Sequence, residues 1–361
     1  MLRVLLATML VILASCIDMY SPDECPGDKD FKTIKQNFNA YHLFRRHENL
    51  YSFISNFDMK KVDIDVMKSS NNGLTWERIC KIVSDTSTPL YVLYNSLEDF
   101  IETNDGSYWI FLHNIYSYGL YKSTDLGKSW KRQDLKINSE SLHFNYDAIH
   151  INKNGTIYLY DYWEGIIRSK DNGNTWKYIV SERTGKKFVQ FFEDKIFYYQ
   201  KDLNFMISYD EGDTWIETVG IDTNDMDYFN SKSKNYSMIE GENSTLYFSI
   251  SLTDSNEYLL FQSTDNGKTW SGIKNSLSKS YMSIQRLIGA NKNGDLFAFI
   301  SENDFGPICY DYEGVFKSTD GGKNWEHILF MPVYLSLMTK DNNILFIEYQ
   351  NILKMTKEKL F

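Results

Sequence analysis

Short runs of alternating apolar and polar residues fill most of this chain. "GTIYLYD" (155–161) and "DKIFYYQ" (194–200) have the period of two that marks half-buried β-strands. Apolar stripes with the 3.6-residue period of a helix do not reach a useful length. The stretch from Phe144 to Val180 divides into "FNYDAIHIN", "GTIYLYD", "GIIRSKD" and "NTWKYIV", which predicts four antiparallel strands with Asn154-Gly155 as a hairpin turn. The same division predicts four-strand groups from about Ala40 to Val83, Pro89 to Ile137, Lys187 to Val219, Tyr236 to Lys274 and Met282 to Phe330. Beyond these the tail offers three more strands, "VYLSLMT", "NILFIEY" and "NILKMTK", and no fourth.

An octapeptide recurs between the third and fourth strand of each group. It reads "SSNNGLTW" from Ser69, "STDLGKSW" from Ser123, "SKDNGNTW" from Ser169, "SYDEGDTW" from Ser208, "STDNGKTW" from Ser263 and "STDGGKNW" from Ser318. The copies start 54, 46, 39, 55 and 55 residues apart, a spacing that fits one small antiparallel sheet per repeat. Repetition of this kind predicts an all-β, seven-bladed β-propeller. Its last blade takes its missing strand from "FKTIKQNF" (31–38), because closing the ring removes sheet edges that would otherwise stay exposed. A six-bladed ring capped by the C-terminal strands is the alternative.

The wording of the octapeptide suits a turn. Asp125, Asp171, Asp210, Asp265 and Asp320 are placed to accept hydrogen bonds from turn amides, the glycine two residues on supplies a positive φ, and the closing tryptophan buries apolar area. Six of the eight tryptophans stand in these phrases, so the repeat reads as scaffold. Five aspartates spread around a ring also do not converge on a metal.

The first residues differ from the rest. "MLRVLLATMLVILASC" has one basic residue, Arg3, and a ten-residue apolar run from Val4 to Leu13 that is too short to span a bilayer. The expected organisation is a signal peptide over 1–15, a polar tether over 16–29 and the propeller over 30–361. Leu13-Ala14-Ser15-Cys16 resembles the bacterial lipobox, which implies acylation of Cys16, anchoring to a bilayer by two or three acyl chains, and residence in a bacterial cell envelope. A plain secretory signal with Cys16 as an ordinary thiol is the alternative. The other cysteines, Cys25, Cys80 and Cys309, form no Cys-x-x-Cys pair and assign no disulfide.

A net charge of -10 argues against a nucleic-acid partner, whose phosphates require a basic face. "GKS" (127–129) and "GKT" (267–269) lack the preceding glycine of a phosphate-binding loop. His42 and His47 in "YHLFRRH" are five apart on an expected strand, which turns them to opposite faces and removes them as a metal pair. No metal and no cofactor is expected.

The octapeptide resembles the Asp-box, or bacterial neuraminidase repeat, of sialidases, sortilins, xyloglucan-degrading propellers and photosystem assembly factors of the same shape. That resemblance implies a ligand-binding funnel on the face opposite the boxes. Its loops here are "HNIYSYG" (113–119), "DYWEG" (161–165) and "SENDFGPICYDYEG" (301–314), among others, and they make Tyr116, Tyr118, Asp161, Tyr162, Trp163, Glu164, Tyr310, Asp311 and Tyr312 the candidate contacts for a glycan or an exported protein. A sialidase of this family requires three arginines on the substrate carboxylate and an Arg-Ile-Pro motif. The chain has seven arginines after Arg3, and of these Arg78, Arg132 and Arg168 fall at repeated strand positions, while "LFRRH" is not that motif. The expected function is a membrane-anchored, non-catalytic binding propeller, with a glycoside hydrolase that uses two carboxylates as the alternative.

Overall fold

The computed structural model describes residues 31–35, 38, 40–58, 61–83, 97–113, 118–137, 140–141, 146–161, 165–181, 187–200, 205–221, 234–252, 258–279, 282–302, 313–330, 335–348 and 352–356. Seven four-stranded antiparallel sheets form a β-propeller. The first six are continuous in sequence. Blade one, for instance, comprises Ala40–Arg46, Asn49–Asp58, Lys61–Ser69 and Glu77–Val83, and blade four Lys187–Phe191, Ile196–Gln200, Met206–Ser208 and Ile216–Glu217. Blade seven joins the two ends of the domain. Leu335–Met338, Ile344–Glu348 and Ile352–Thr356 supply its first three strands, and Phe31–Lys35 pairs antiparallel with Ile352–Thr356 as the outermost one. The fold is therefore the seven-bladed ring, not the six-bladed alternative. A two-stranded ribbon of Lys136–Ile137 with Glu140–Ser141 follows blade two.

Alternation explains the packing. In each blade the inward positions of the strands fill clusters shared with a neighbour, such as Ile101, Trp109, Phe111, Ile149, Leu159 and Ile167 between blades two and three. Phe197, Phe205, Phe248, Phe261 and Trp270 do the same between blades four and five. Hydrophobic burial at these interfaces is the main force holding the ring together.

The repeated turn is locked by its own side chains. Asp265 Oδ1 accepts from the Thr269 amide at 2.9 Å and from Ser263 Oγ at 2.8 Å, while its Oδ2 accepts from Thr269 Oγ1 at 2.6 Å. Ser263 Oγ in turn accepts from the Gly267 amide at 2.8 Å. The same bonds recur at Asp125, Asp171, Asp210 and Asp320, with Asn324 replacing the hydroxyl residue at the last. In blade one Asn71 Oδ1 accepts from the Thr75 amide and Ser69 Oγ as the aspartates do, while its Nδ2 donates to Thr75 Oγ1, the reverse of the carboxylate's bond.

The turn also clamps adjacent blades together. A Cβ built on Gly267 would lie 2.4 Å from Phe197 of blade four, and one on Gly173 would lie 2.3 Å from Trp109 of blade two. In the other blades the same glycine abuts Leu345, Cys80, Ile179 or Leu260 of the preceding blade. The residue before the glycine is left-handed as well, with φ of 64° at Asn266 and 56° at Asn172. That second left-handed position was not read from the sequence, although asparagine there is its signal.

Two details of the expected geometry differ. Only Trp176 and Trp270 of the six repeat tryptophans are buried; Trp76, Trp130, Trp215 and Trp325 are half-buried, because their rings lie at the rim of the interblade clusters. The expected Asn154-Gly155 hairpin is present and takes a longer loop. The Gly155 amide donates to Asn152 O at 2.9 Å and only Gly155 is left-handed, which makes a three-residue loop over Lys153–Gly155.

Candidate binding cleft on the ring axis

Because the strands alternate in direction, the first hairpin of every blade and the octapeptide turn emerge on one face. The first strands are innermost, and their ends on this face surround an axial cavity of about 760 Å³. Six of the seven blades line it.

Blade one dominates the cavity. Arg46 pairs with Asn49 across a two-residue turn formed by His47 and Glu48, and His47 adopts φ of 50°. The hairpin tip reaches across the ring. His47 Nδ1 lies 3.1 Å from both carboxylate oxygens of Glu193 in blade four, Arg46 Nη2 donates to Ile149 O of blade three at 3.3 Å, and Glu48 pairs with Lys340 of blade seven. Burial would raise the Glu193 carboxyl, but its hydrogen bond and charge interaction with His47 hold it below the ordinary value.

Below the tip, the His150 imidazole stacks on Phe191 at 5.2 Å and 8° between planes. Burial keeps it far below its ordinary pKa, and the charges of Arg46 and His47 add to this, so it is neutral at pH 7. Its Nε2 is buried without a hydrogen-bond partner. Lys195, whose side chain is fully buried, donates to Glu240 at 2.6 Å and pairs with Asp194 at 3.2 Å. Arg45 points into the cleft. Surrounding protein lowers its pKa by desolvation, opposed by the charges of Glu48 and Glu193.

The sequence placed candidate contacts on the opposite face. Tyr116, Tyr162, Trp163, Glu164, Tyr310, Asp311 and Tyr312 lie outside the described residues, as does Cys16. Tyr118 opens the third strand of blade two, opposite His113, and Asp161 ends the second strand of blade three, opposite Gly165. His42 and His47 are not a strand pair, since His47 is in the turn and His42 is on the strand stacked against Phe53 at 5.4 Å. Arg168 is structural: its buried guanidinium donates to Glu211 O and to Asp213 Oδ1, both at 2.5 Å. Among the described residues no group of three or more His, Cys, Asp or Glu is arranged to hold a metal, and no helix is long and apolar enough to cross a membrane.

Sequence reading missed Arg45, His47, His150 and Glu193 as a group. Only Arg45 and His47 had a signal, in "RRHE" (45–48), a charged hairpin tip where blades three and six carry Asn-Gly.

These features define a β-propeller with a polar axial cleft. Solved structures agree on the fold. YCF48 from Cyanidioschyzon merolae matches with a TM-score of 0.54 at 13% identity, covering 91% of this chain and 99% of that one. YCF48 bound to D1 peptide matches with a TM-score of 0.52 at 14% identity, covering 92% and 98%. The GH74 xyloglucanase from Xanthomonas campestris matches with a TM-score of 0.52 at 13% identity, covering 89% of this chain and 52% of that one. No protein-family model and no curated protein sequence matches the chain.

Proposed function

We propose that the protein is a lipid-anchored, non-catalytic propeller that binds a protein or glycan partner at the cell envelope. The observation that carries this reading is the state of the carboxylates in the axial cleft. Of the four glutamates that line it, Glu193 is held by His47, Glu48 by Lys340 and Glu240 by Lys195, while Glu242 is exposed. A glycosidase needs one carboxylic acid kept protonated beside a second, ionised one. Glu193 is pushed in the other direction, toward the ionised form. What remains is a rigid ring with an open, charged cavity, which suits recognition.

Two of the similar structures are of YCF48, and one of them holds a peptide, which supports a protein partner. The aromatic residues around Trp163 and Tyr312 are proposed, from the sequence alone, as a second contact for such a partner. The lipobox-like ending at Cys16 supports the anchor.

The test is a pull-down with the lipid-free domain, followed by mass spectrometry of what it retains. A specific partner that is lost on Trp163→Ala or on substitution of the cleft supports the reading, and turnover of a retained glycan overturns it. Cys16→Ser should move the protein from the detergent fraction to the soluble fraction; unchanged membrane association removes the anchor from the proposal.

A further inference from the structure

The charged groups of the axial cleft are mostly satisfied within the ring. His47 holds Glu193, Lys340 holds Glu48, and Arg46 donates to the carbonyl oxygens of Arg45 and Ile149. Arg45, Lys153 and Glu242 are different, for none of these side chains has a hydrogen-bond or ion-pair partner among the described residues. All three are exposed. Arg45 lines the cavity itself, and the nearby Glu48 and Glu193 act on it only through space because each is engaged elsewhere.

A guanidinium presents its donors as a planar fork that matches the two oxygens of a carboxylate. Arg45 is itself exposed, so its fork stands hydrated in the open cleft with its donors available to an incoming anion. Met238, Ile288, Ala290 and Met338 of blades five to seven contribute apolar lining among Glu240, Glu242 and Lys340, and the His150–Phe191 stack adds a flat wall. The cavity thus offers a guanidinium from blade one and apolar patches from blades five to seven within a mixed charged lining.

We propose that the axial cleft binds a carboxylate carrying a compact apolar group, with Arg45 as the bidentate partner of the carboxylate and the Met238–Met338 side receiving the apolar group. Two sources share this chemistry, a free aliphatic acid and the C-terminal residue of a peptide. The proposal rests on the reading of the protein as a binding module and names the chemistry of one of its ligands.

Titration calorimetry on the lipid-free chain tests it with 4-methylpentanoate, acetyl-glycyl-leucine and the amide of that peptide. Both carboxylates should bind, and the amide at least tenfold more weakly than the acid. Equal affinity for the two acids marks a small-molecule site, and tighter peptide binding marks a chain end. Arg45→Gln should weaken binding tenfold or more, Arg45→Lys should lose most of that affinity because it keeps charge but not the fork, and Arg132→Gln, exposed on blade two, should change nothing. Thermal melts of each variant confirm folding. The proposal is overturned if the wild-type chain shows no binding at millimolar acid, if Arg45→Gln binds as well as wild type, if the amide binds as well as the acid, or if glucuronate binds in preference to the aliphatic acids. A partner captured equally by wild type and Arg45→Gln, with no acid bound, would sink this site and leave the binding function standing. Acid binding without any captured partner would do the reverse.

Discussion

His47, at the tip of the blade-one hairpin, meets Glu193 of blade four across the axis of the ring, with Nδ1 at 3.1 Å from both carboxylate oxygens. The contact ties together segments 146 residues apart in sequence and fixes one wall of the cleft. Both groups are partly exposed, so the pair adds only about 1 kcal/mol or less to stability. Its effect is local order. His47→Asn keeps a residue that tolerates the left-handed backbone and removes the imidazole. Melting should shift little, while amide exchange at 46–49 should quicken. Unchanged exchange would show that Glu48–Lys340 and the Arg46 bond hold the hairpin unaided.

The repeated turn makes a sharper prediction about blade assembly. Gly267 has φ of 94° and faces Phe197 so closely that a methyl group would lie 2.4 Å from the ring. Gly106 has φ of 78° with nothing within 4 Å of the same methyl position. Gly106→Ala should therefore show only the backbone strain, about 1–2 kcal/mol. Gly267→Ala adds overpacking, for a total of about 2–5 kcal/mol. Equal losses in denaturant titrations would mean that the turn does not clamp adjacent blades.

The blades were legible in the sequence because alternation and the octapeptide repeat at the same period, and each carries local physics. Ser263, Asp265, Gly267 and Thr269 bond to one another within seven residues, so their pattern announces the turn without knowledge of the rest. Even the closing strand could be read, since Phe31–Lys35 was the only segment left to complete blade seven. The cleft was not legible, for the opposite reason. Arg45, His150 and Glu193 come from three blades and meet only because the ring closes, and nothing in "RRHE" states that blade four lies across the axis. The half-buried Trp130 and Trp215 show the same limit: a motif fixes the turn, while the neighbouring blade decides how much of the ring it covers.

Ring closure depends on Phe31–Lys35, which occupies the outer edge of Ile352–Thr356. Phe38, fully buried beside Leu353 and Met355, anchors the segment that follows. Deleting residues 30–38 strips hydrogen bonds from that edge, removes the Phe38 side chain from the core and frees the last blade to pair with other chains. The expected loss is several kcal/mol, about 3–5 of it from Phe38 alone, with aggregation on heating. Melting like that of the parent would show that the C-terminal strands hold blade seven without it.

The junction of blades three and four is held by a carboxylate whose titration can be followed. Glu211 accepts from Asn152 Nδ2 and Thr156 Oγ1, each at 2.9 Å, from Asn154 Nδ2 at 3.1 Å, and pairs with Lys170 at 2.7 Å. Burial alone would raise its pKa, but the bonds from Lys170 and the three neighbours take it from 4.5 down to about 2. A carboxyl whose pKa is lower in the folded than in the unfolded state stabilises the fold above the unfolded value, and that contribution disappears as pH falls through the folded one. Glu211→Gln, which cannot ionise, should be less stable than wild type at pH 7. The gap between the two melting temperatures should narrow as pH falls from 4.5 toward about 2. Comparing the two proteins cancels the titration of Asp213 and the turn aspartates, which change both alike. A gap that stays constant over this range would mean that the Glu211 charge contributes nothing to the junction, and that it acts there only through its neutral hydrogen bonds.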